Sequence, residues 1–313
     1  MDILPNLQIN KIHSKTEYIE ECFEECKKFT YNHYENFTVG SKIIPKNIRK
    51  YFYSIYTFCR LTDDIGDEYS GNRIKKLKIW EQELDKCYKS KSTHPYFIAL
   101  ENTFRRFNIK KYLFKRIIIA NHMDQKNQSF KTFNDLLNYC KYSANPVGRI
   151  MLKILNCSNR NNILLSDKIC TALQITNFLQ DIGRDIDNNR LYIPISDLKK
   201  FHVKISEIKQ KKYSENFKKM MKFQITRTKK LFEEGYNLVD YVDKKFVIDL
   251  SLFTMGGLSI LRKIEKNNFD TISERPTLSK LDKIYIFISV YARMKLGLSP
   301  ISKKNFEYET FEK

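Results

Sequence analysis

The residues with the clearest capacity for chemistry form two short acidic segments, of which the first is Tyr56–Glu68. In it Tyr56, Arg60, Asp63 and Asp67 are spaced four, three and four residues apart, so a helix would place them on one face. Carboxylates crowded at the C-terminal end of a helix repel one another, and the helix macrodipole disfavours them there. The segment therefore predicts a helix whose acidic end needs a positive partner.

The second segment, Gln174–Arg190, repeats this arrangement. Its polar residues Gln174, Asn177, Asp181 and Asp185 are three, four and four residues apart, and apolar residues fill the positions between them. A polar stripe on an otherwise apolar helix should face an interior cavity rather than bulk water. We therefore predict a second helix that presents carboxylates to a cavity.

Asp-x-x-x-Asp on a mostly apolar helix is a suitable ligand set for a hard divalent cation. Mg²⁺ binds proteins through one or two carboxylates, while phosphate oxygens and waters complete its octahedron. One such motif alone is more typical of a solvated acidic helix end, but two copies with matching spacing favour a metal site. Two such helices facing each other would hold Mg²⁺ ions that bridge to a diphosphate, with Asp63, Asp67, Asp181 and Asp185 as the ligands.

The elements that must position these residues are predicted to be helices. The 313 residues include only 9 Gly and 7 Pro, too few for the turns of a sheet architecture, and 42% hydrophobic residues suffice for a large core. Helical periodicity recurs along the chain and is broken by polar links such as Ser90–Pro95, Asn156–Asn162 and Pro194–Lys200. We therefore predict an all-α fold of about ten helices in one domain over residues 1–313, with a core over about 31–296 and frayed termini.

The formal charge of +20 raises the question of a polyanionic partner. The densest basic run, Lys199–Lys230, places Phe217, Met221 and Ile225 four residues apart, as in an amphipathic helix with a solvated basic face. We therefore expect no nucleic acid partner. A basic surface also attracts anionic lipid headgroups, so peripheral association with a membrane surface remains open.

Cysteine and histidine usage favours a cytoplasmic protein without zinc. The seven cysteines are scattered and odd in number, as expected for reduced thiols, and the five histidines include no HExxH pair. The first twenty residues carry polar and acidic groups where a signal peptide needs an apolar core. The longest apolar stretch, Phe246–Leu261, is too short to span a bilayer and contains Asp249.

Three segments in order along the chain resemble the squalene/phytoene synthase family, the head-to-head trans-prenyltransferases. They are Tyr56–Glu68, Tyr139–Arg149 and Asn177–Pro194, and the resemblance extends over about residues 31–283. It implies an isoprenoid-synthase-type helical bundle with a central apolar cavity flanked by the two Asp-rich helices. It also implies a prenyl diphosphate substrate and Mg²⁺ as the cofactor.

Two variants within this pattern, Ser143–Arg149 and Glu35–Ser41, are similar to the hydroxysqualene synthase branch of the bacterial hopanoid pathway. That branch is expected to convert presqualene diphosphate and water into hydroxysqualene and diphosphate, without NADPH. Condensation of two farnesyl or geranylgeranyl diphosphates to presqualene diphosphate, squalene or phytoene is the alternative. A non-catalytic assembly helper is a third, although a helper has no need of two Asp pairs. The isoprenoid chain length and the oligomeric state are left undetermined.

The diphosphate is expected to bind to arginines and amides beside the Asp pairs. Arg60 and Arg190 would add charge-assisted hydrogen bonds to its oxygens, and Arg275 matches a diphosphate-binding arginine of the family. Asn177 could serve as a neutral metal or phosphate ligand, and Gln174 shares its stripe. Arg60 and Asn177 are thus expected to act in both binding and catalysis.

Shielding of a carbocation from water is expected to fall to aromatic side chains beside the motifs, namely Tyr56, Tyr139 and Tyr192. His33 opens the segment His33–Phe37, where other family members have a His-Ser-x-Ser-Phe pattern. This chain keeps the histidine but has no serine in the segment, and we expect a substrate contact from His33. Pro146 inside a helical pattern should kink its helix and free a backbone carbonyl that could steer a water. Close helix packing explains the small residues around Pro146 equally well.

Overall fold

The computed structural model describes residues 14–33, 44–126 and 129–308, and over these ranges the protein is helical, with no β-strand. One isolated bridge pairs Ser129 with Leu191. The chain divides into two compact units: unit 1 comprises residues 1–126 and 150–156, and unit 2 comprises residues 127–149 and 157–313. The expectation of one domain over residues 1–313 stays a prediction.

Unit 1 is built around the helix that carries the first acidic segment. Its complete helices are α1 (Lys15–His33), α2 (Lys46–Asp67), α3 (Arg73–Tyr88), α4 (Pro95–Phe107) and α5 (Lys111–Asp124). Helix α2 packs against the other four. Its inner face inserts Phe58 between Trp80 and Phe114, with ring centroids 5.7 and 5.2 Å away, and Trp80 Nε1 donates to Thr62 Oγ1 at 2.9 Å. Because these aromatic contacts fix the helix rotation, its polar stripe faces away from this core.

Unit 2 is built around the helix of the second segment. Its helices are α6 (Phe133–Ser143), the first half of α7 (Asn145–Ile154), α8 (Arg160–Gln180), α9 (Ile182–Asp187), α10 (Ile195–Lys200), α11 (Ile205–Lys209), α12 (Glu215–Tyr236), α13 (Lys244–Lys266) and α14 (Lys280–Lys295). Helix α8 packs against α6, α12 and α13. Phe217, Phe232, Leu258 and Leu261 fill the core between them, each with 1% or less of its surface exposed.

The described residues contain fourteen α-helices, more than the ten expected, because several predicted helices are interrupted. Pro146 does not kink one helix but separates two, α6 and α7, since proline is tolerated in the first turn of a new helix. The predicted link Pro194–Lys200 contains the short helix α10. Ile301 and Phe306 are buried, so the packed part of the chain extends beyond residue 296.

All seven cysteines carry free thiols, as predicted. The apolar stretch Phe246–Leu261 lies within α13 and supplies core residues of unit 2. Over the described ranges, no helix has the length and hydrophobicity needed to cross a membrane.

Candidate functional site

The first Asp pair lies at the C-terminal end of α2, as the spacing predicted. Asp67 is the last residue of the helix, and the last turn contains no basic residue. Asp63 retains accessible surface yet is densely surrounded by protein, and this burial, together with the charge of Asp67, raises its pKa to about 7. The pair therefore lies at the helix end where the macrodipole disfavours negative charge.

Asn121 of α5 holds Asp63 in place. Its Nδ2 donates to Asp63 Oδ1 at 3.1 Å and to the Ile117 carbonyl at 3.2 Å. Gly66 makes room for this amide, because a Cβ at Gly66 would lie 2.1 Å from Asn121 Oδ1. The glycine of the first motif is thus required for the residue that orients the first carboxylate.

Arg60 pairs with Asp64 and Glu68, the two carboxylates of the first segment that we do not assign to metal. Its Nη2 lies 2.7 Å from both Asp64 Oδ1 and Glu68 Oε1. Arg60 therefore contacts the acidic residues that follow each metal-ligand candidate in the chain, Asp64 after Asp63 and Glu68 after Asp67. Tyr56 is half-buried one turn earlier on α2, and burial raises its pKa.

His33, at the end of α1, belongs to the same cluster. Its ring stacks on Phe29 with centroids 4.0 Å apart, and its Nδ1 contacts the Phe29 carbonyl at 3.0 Å. Burial raises the pKa of Asp64, and Arg60 and His33 oppose that shift. Unit 1 therefore brings His33, Tyr56 and Arg60 together with the first Asp pair. The Glu35–Ser41 variant lies outside the described residues.

The second Asp pair lies at a helix break, where the sequence predicted a continuous helix. Helix α8 ends at Gln180, Asp181 is its C-cap, and α9 begins at Ile182. The break has a physical cause: the N–H of Gly183 donates to the Thr271 carbonyl at 3.2 Å instead of to the preceding turn. Asp185 N still donates to Asp181 O at 2.8 Å, so the two carboxylates remain one turn apart.

The segment Thr271–Pro276, whose Thr271 carbonyl accepts the Gly183 N–H, also brings Arg275 to the second Asp pair. Arg275 donates from Nε to Asp181 Oδ1 and from Nη2 to Asp181 Oδ2 at 3.2 Å, a bidentate pair. Gln180 Nε2 donates to the Pro276 carbonyl and fixes the segment. A Cβ at Gly183 would lie 2.5 Å from the Ile272 carbonyl oxygen, so this glycine permits the close approach.

Of the remaining polar residues of the second segment, Gln174 and Asn177 lie in the last two turns of α8, and Arg190 follows α9. Gln174 is half-buried and Asn177 is exposed, and Asn177 O accepts the Asp181 N–H at 2.9 Å. Arg190 is half-buried, and its N–H donates to Asp185 O at 2.8 Å, which places it directly after the second carboxylate. Unit 2 therefore places Asn177, Arg190 and Arg275 beside the second Asp pair, while Gln174 lies about two helical turns before Asp181.

Tyr139 and Tyr192 lie in one aromatic cluster of unit 2. Tyr192 stacks on Phe178 with centroids 3.8 Å apart and an interplanar angle of 3°, and Tyr139 lies 6.0 Å from Phe178. Phe130 completes the cluster at 5.4 Å from Tyr139. Because Phe178 and Asn177 are neighbours on α8, this aromatic wall adjoins the second polar stripe.

The donor chemistry of both segments fits Mg²⁺. Among residues 14–33, 44–126 and 129–308 no group of three or more His, Cys, Asp or Glu side chains is arranged to hold a metal. Mg²⁺ does not need such a cage, because it binds through one or two carboxylates and completes its shell with phosphate and water. Asp63 with Asp67 and Asp181 with Asp185 are pairs of that kind, and their assignment as ligands stays a prediction.

Sequence reasoning missed Asn121 and the two motif glycines, Gly66 and Gly183. The signal was present in part, since both segments contain Asp-Ile-Gly. Near Pro146, a Cβ at Gly148 would lie 2.4 Å from Ser166 Oγ and 2.5 Å from Cys170 Sγ, as expected for close helix packing.

The chain is similar to known proteins along most of its length. A family model described as squalene/phytoene synthase matches residues 30–282. The chain is 28% identical over 282 residues to the phytoene synthase of Arthrospira platensis, covering 83% of this chain and 90% of the relative. It is 26% identical over 282 residues to the 15-cis-phytoene synthase of Synechocystis sp., covering 84% and 83%.

Solved structures agree with these matches. Squalene synthase HpnC from Alicyclobacillus acidocaldarius superposes with a TM-score of 0.78 at 37% identity, covering 82% of this chain and 97% of that one. A dehydrosqualene synthase in complex with ligand superposes with a TM-score of 0.81 at 22% identity, covering 90% and 99%. The predicted all-α fold and the resemblance are thereby confirmed, and the chain belongs to the squalene/phytoene synthase family.

Proposed function

We propose that this family member converts presqualene diphosphate and water into hydroxysqualene and diphosphate in the presence of Mg²⁺. The observation that carries the proposal is the pair of Asp-Ile-Gly segments, each presenting two carboxylates one turn apart beside an arginine. The choice of this reaction within the family is supported by the 37% identity to a squalene synthase named HpnC and by the Ser143–Arg149 variant.

In the reaction, the carbon–oxygen bond to the diphosphate breaks and the diphosphate leaves with the electron pair. Bound Mg²⁺ would neutralise the charge that develops on the leaving group. Asp63 with Asp67 in unit 1, and Asp181 with Asp185 in unit 2, would each hold Mg²⁺ as a pair, and Arg275 would move from Asp181 to the departing oxygens. The rearranged carbocation then takes a water oxygen and loses a proton, which yields the alcohol.

Ser143 supports the step in which water adds. Its Oγ is buried and has no hydrogen-bond partner among the described residues, and it lies at the break between α6 and α7. A buried hydroxyl of this kind would supply one of the two or more hydrogen bonds that an ordered water needs. The aromatic cluster of Tyr139, Phe178 and Tyr192 would keep other water away from the cation.

Condensation of two prenyl diphosphates is the second candidate, because the curated relatives at 26–28% identity are phytoene synthases. The two reactions use the same Asp pairs. They differ in whether a second diphosphate substrate enters, and full squalene synthesis also requires reduction by NADPH.

The test is incubation of the purified chain with Mg²⁺ and presqualene, farnesyl or geranylgeranyl diphosphate in separate tubes, with and without NADPH, followed by mass spectrometry. Hydroxysqualene from presqualene diphosphate alone, labelled by ¹⁸O-water, supports the proposal. A hydrocarbon or presqualene diphosphate from the shorter substrates would replace the proposed reaction with the condensing reaction. No product in any tube, with folded protein, would favour the assembly helper.

The metal requirement is tested separately. EDTA should stop turnover, and added Mg²⁺ should restore it.

A further inference from the structure

Helix α14 of unit 2 exposes an apolar face to solvent. Of its sixteen residues only Ile286 and Val290 are buried. Five large apolar or aromatic side chains on it are exposed by 44–77% of their surface, and we call them the outer stripe of α14: Leu281, Ile284, Tyr285, Ile288 and Tyr291.

Helical geometry puts this stripe opposite the core. The five residues follow one another at intervals of three, one, three and three, so they share one side, while Ile286 and Val290 point to α13. An ordinary surface helix has polar residues on its outer side. Two further exposed leucines, Leu296 and Leu298, follow the helix directly in the chain and are 73% and 50% exposed. A concentration of exposed apolar side chains on one side of a helix is typical of an interaction surface.

Positive charge borders the stripe. Lys280, Lys283, Arg293 and Lys295 lie on α14, and Lys295 Nζ lies 5.5 Å from the Tyr291 ring. The one acidic residue of the helix, Asp282, is neutralised by Lys263 at 2.7 Å and accepts the Ser279 N–H in a capping box. The surface is thus apolar and aromatic at its centre and cationic at its edges.

We propose that the outer stripe of α14 docks on an anionic lipid bilayer. Apolar and tyrosine side chains with a lysine and arginine border are the composition of interfacial helices, which lie in the headgroup region. A second copy of the chain would bring two basic borders together on molecules of charge +20, whereas an anionic leaflet complements them. Binding to the membrane would also keep the enzyme where the lipid-soluble substrate and product of the proposed function reside.

Vesicle co-sedimentation of the full chain without substrate tests this surface. The probes are phosphatidylcholine vesicles with and without 30% phosphatidylglycerol. The triple variant L281S/Y285S/I288S is compared with L164S/Y241S/I205S, which removes one Leu, one Tyr and one Ile that are 42–56% exposed elsewhere on unit 2. We expect the α14 triple to lose about tenfold or more in affinity for anionic vesicles and the control triple to stay within about twofold of the wild type.

Three results would overturn the proposal: equal loss in both triples, equal binding of neutral and anionic vesicles, or no vesicle binding. In the last case, a dimer seen by analytical ultracentrifugation and lost in the α14 triple would assign the stripe to a second copy. Because no substrate is present, this result is independent of turnover. A chain that binds vesicles but leaves presqualene diphosphate intact would contradict the proposed function alone.

Discussion

Arg275 holds both oxygens of Asp181 with two nitrogens of its guanidinium, although the residues are 94 positions apart in the chain. The guanidinium group of Arg275 therefore pairs with a carboxylate that we propose as a ligand of Mg²⁺. A site that must collect metal and diphosphate together can keep its charges balanced beforehand in this way. In the function we propose, the arginine would exchange this carboxylate for a phosphate oxygen of the substrate.

Replacement of Arg275 by Gln should lower kcat about 100-fold, because a charged donor to the leaving group is lost. Arg275→Lys should retain only part of the wild-type kcat, since lysine cannot donate in bidentate fashion. The measurement is steady-state turnover of presqualene diphosphate. Arg105→Gln, which removes an exposed arginine paired with Glu101 at 2.8 Å, is the control and should stay within about threefold. Equal activity of Arg275→Gln and the control would remove Arg275 from the site.

Substitution of Asp63 or Asp181 by Asn should lower turnover about 100-fold or more, because a neutral amide is a poorer ligand for Mg²⁺ than a carboxylate. The helical circular dichroism signal should be unchanged. Asp187→Asn, on the same helix as Asp185 and paired with Lys211 at 3.0 Å, serves as the matched control. Full activity in either motif variant would contradict the metal assignment.

Local periodicity explains why the first segment could be predicted and the second only in part. The stripe of α2 depends on residues three and four apart in one helix, and the structure reproduces it. The break at Asp181 depends on a hydrogen bond from Gly183 to Thr271, a tertiary contact that no local pattern encodes. The sequence therefore predicted the carboxylates but not the backbone that carries the second pair.

The orienting residues were beyond sequence reasoning for the same reason. Asn121 lies 58 positions from the Asp63 that it holds, on a helix whose own pattern is ordinary. Gly66 makes room for the Asn121 amide that contacts Asp63, and Gly183 makes room for the backbone of the segment that carries Arg275. Their function becomes visible only when the packing partners are known.

Gly183→Ala should move the Thr271–Pro276 segment and with it Arg275, because the new Cβ would lie 2.5 Å from the Ile272 carbonyl oxygen. We expect a loss of about 1–3 kcal/mol in the free energy of unfolding, as for other overpacked sites, together with reduced turnover. Gly256→Ala is the matched control, because nothing lies within 4 Å of its Cβ position on α13.

In that control, alanine should leave turnover unchanged and stabilise the helix by about 0.5–1 kcal/mol. Thermal melting and steady-state assays measure both effects. If the two alanine variants melted and turned over alike, the close approach at Gly183 would have no role in placing Arg275.

Asp249 introduces a pH dependence of stability that does not involve the metal site. It lies in the apolar part of α13, its Oδ2 is buried with no hydrogen-bond partner in the part of the chain that the structure describes, and burial raises its pKa to about 7. A carboxyl with a higher pKa in the folded than in the unfolded chain binds more protons when folded. Its contribution to stability is therefore complete below the unfolded pKa of 3.8 and is lost as the pH rises to about 7.

Asp249→Asn should remove this loss, since the amide stays neutral at every pH. The stability of the variant relative to the wild type should increase by about 2 kcal/mol between pH 5 and pH 8, and turnover should be retained. The difference in melting temperature between the two proteins at each pH is the measurement, because other titrating groups affect both alike. Asp243→Asn, at an exposed carboxyl whose pKa is lowered by the Lys245 N–H, should show no such increase. A constant difference for Asp249→Asn from pH 5 to pH 8 would mean that this carboxyl titrates near its ordinary pKa.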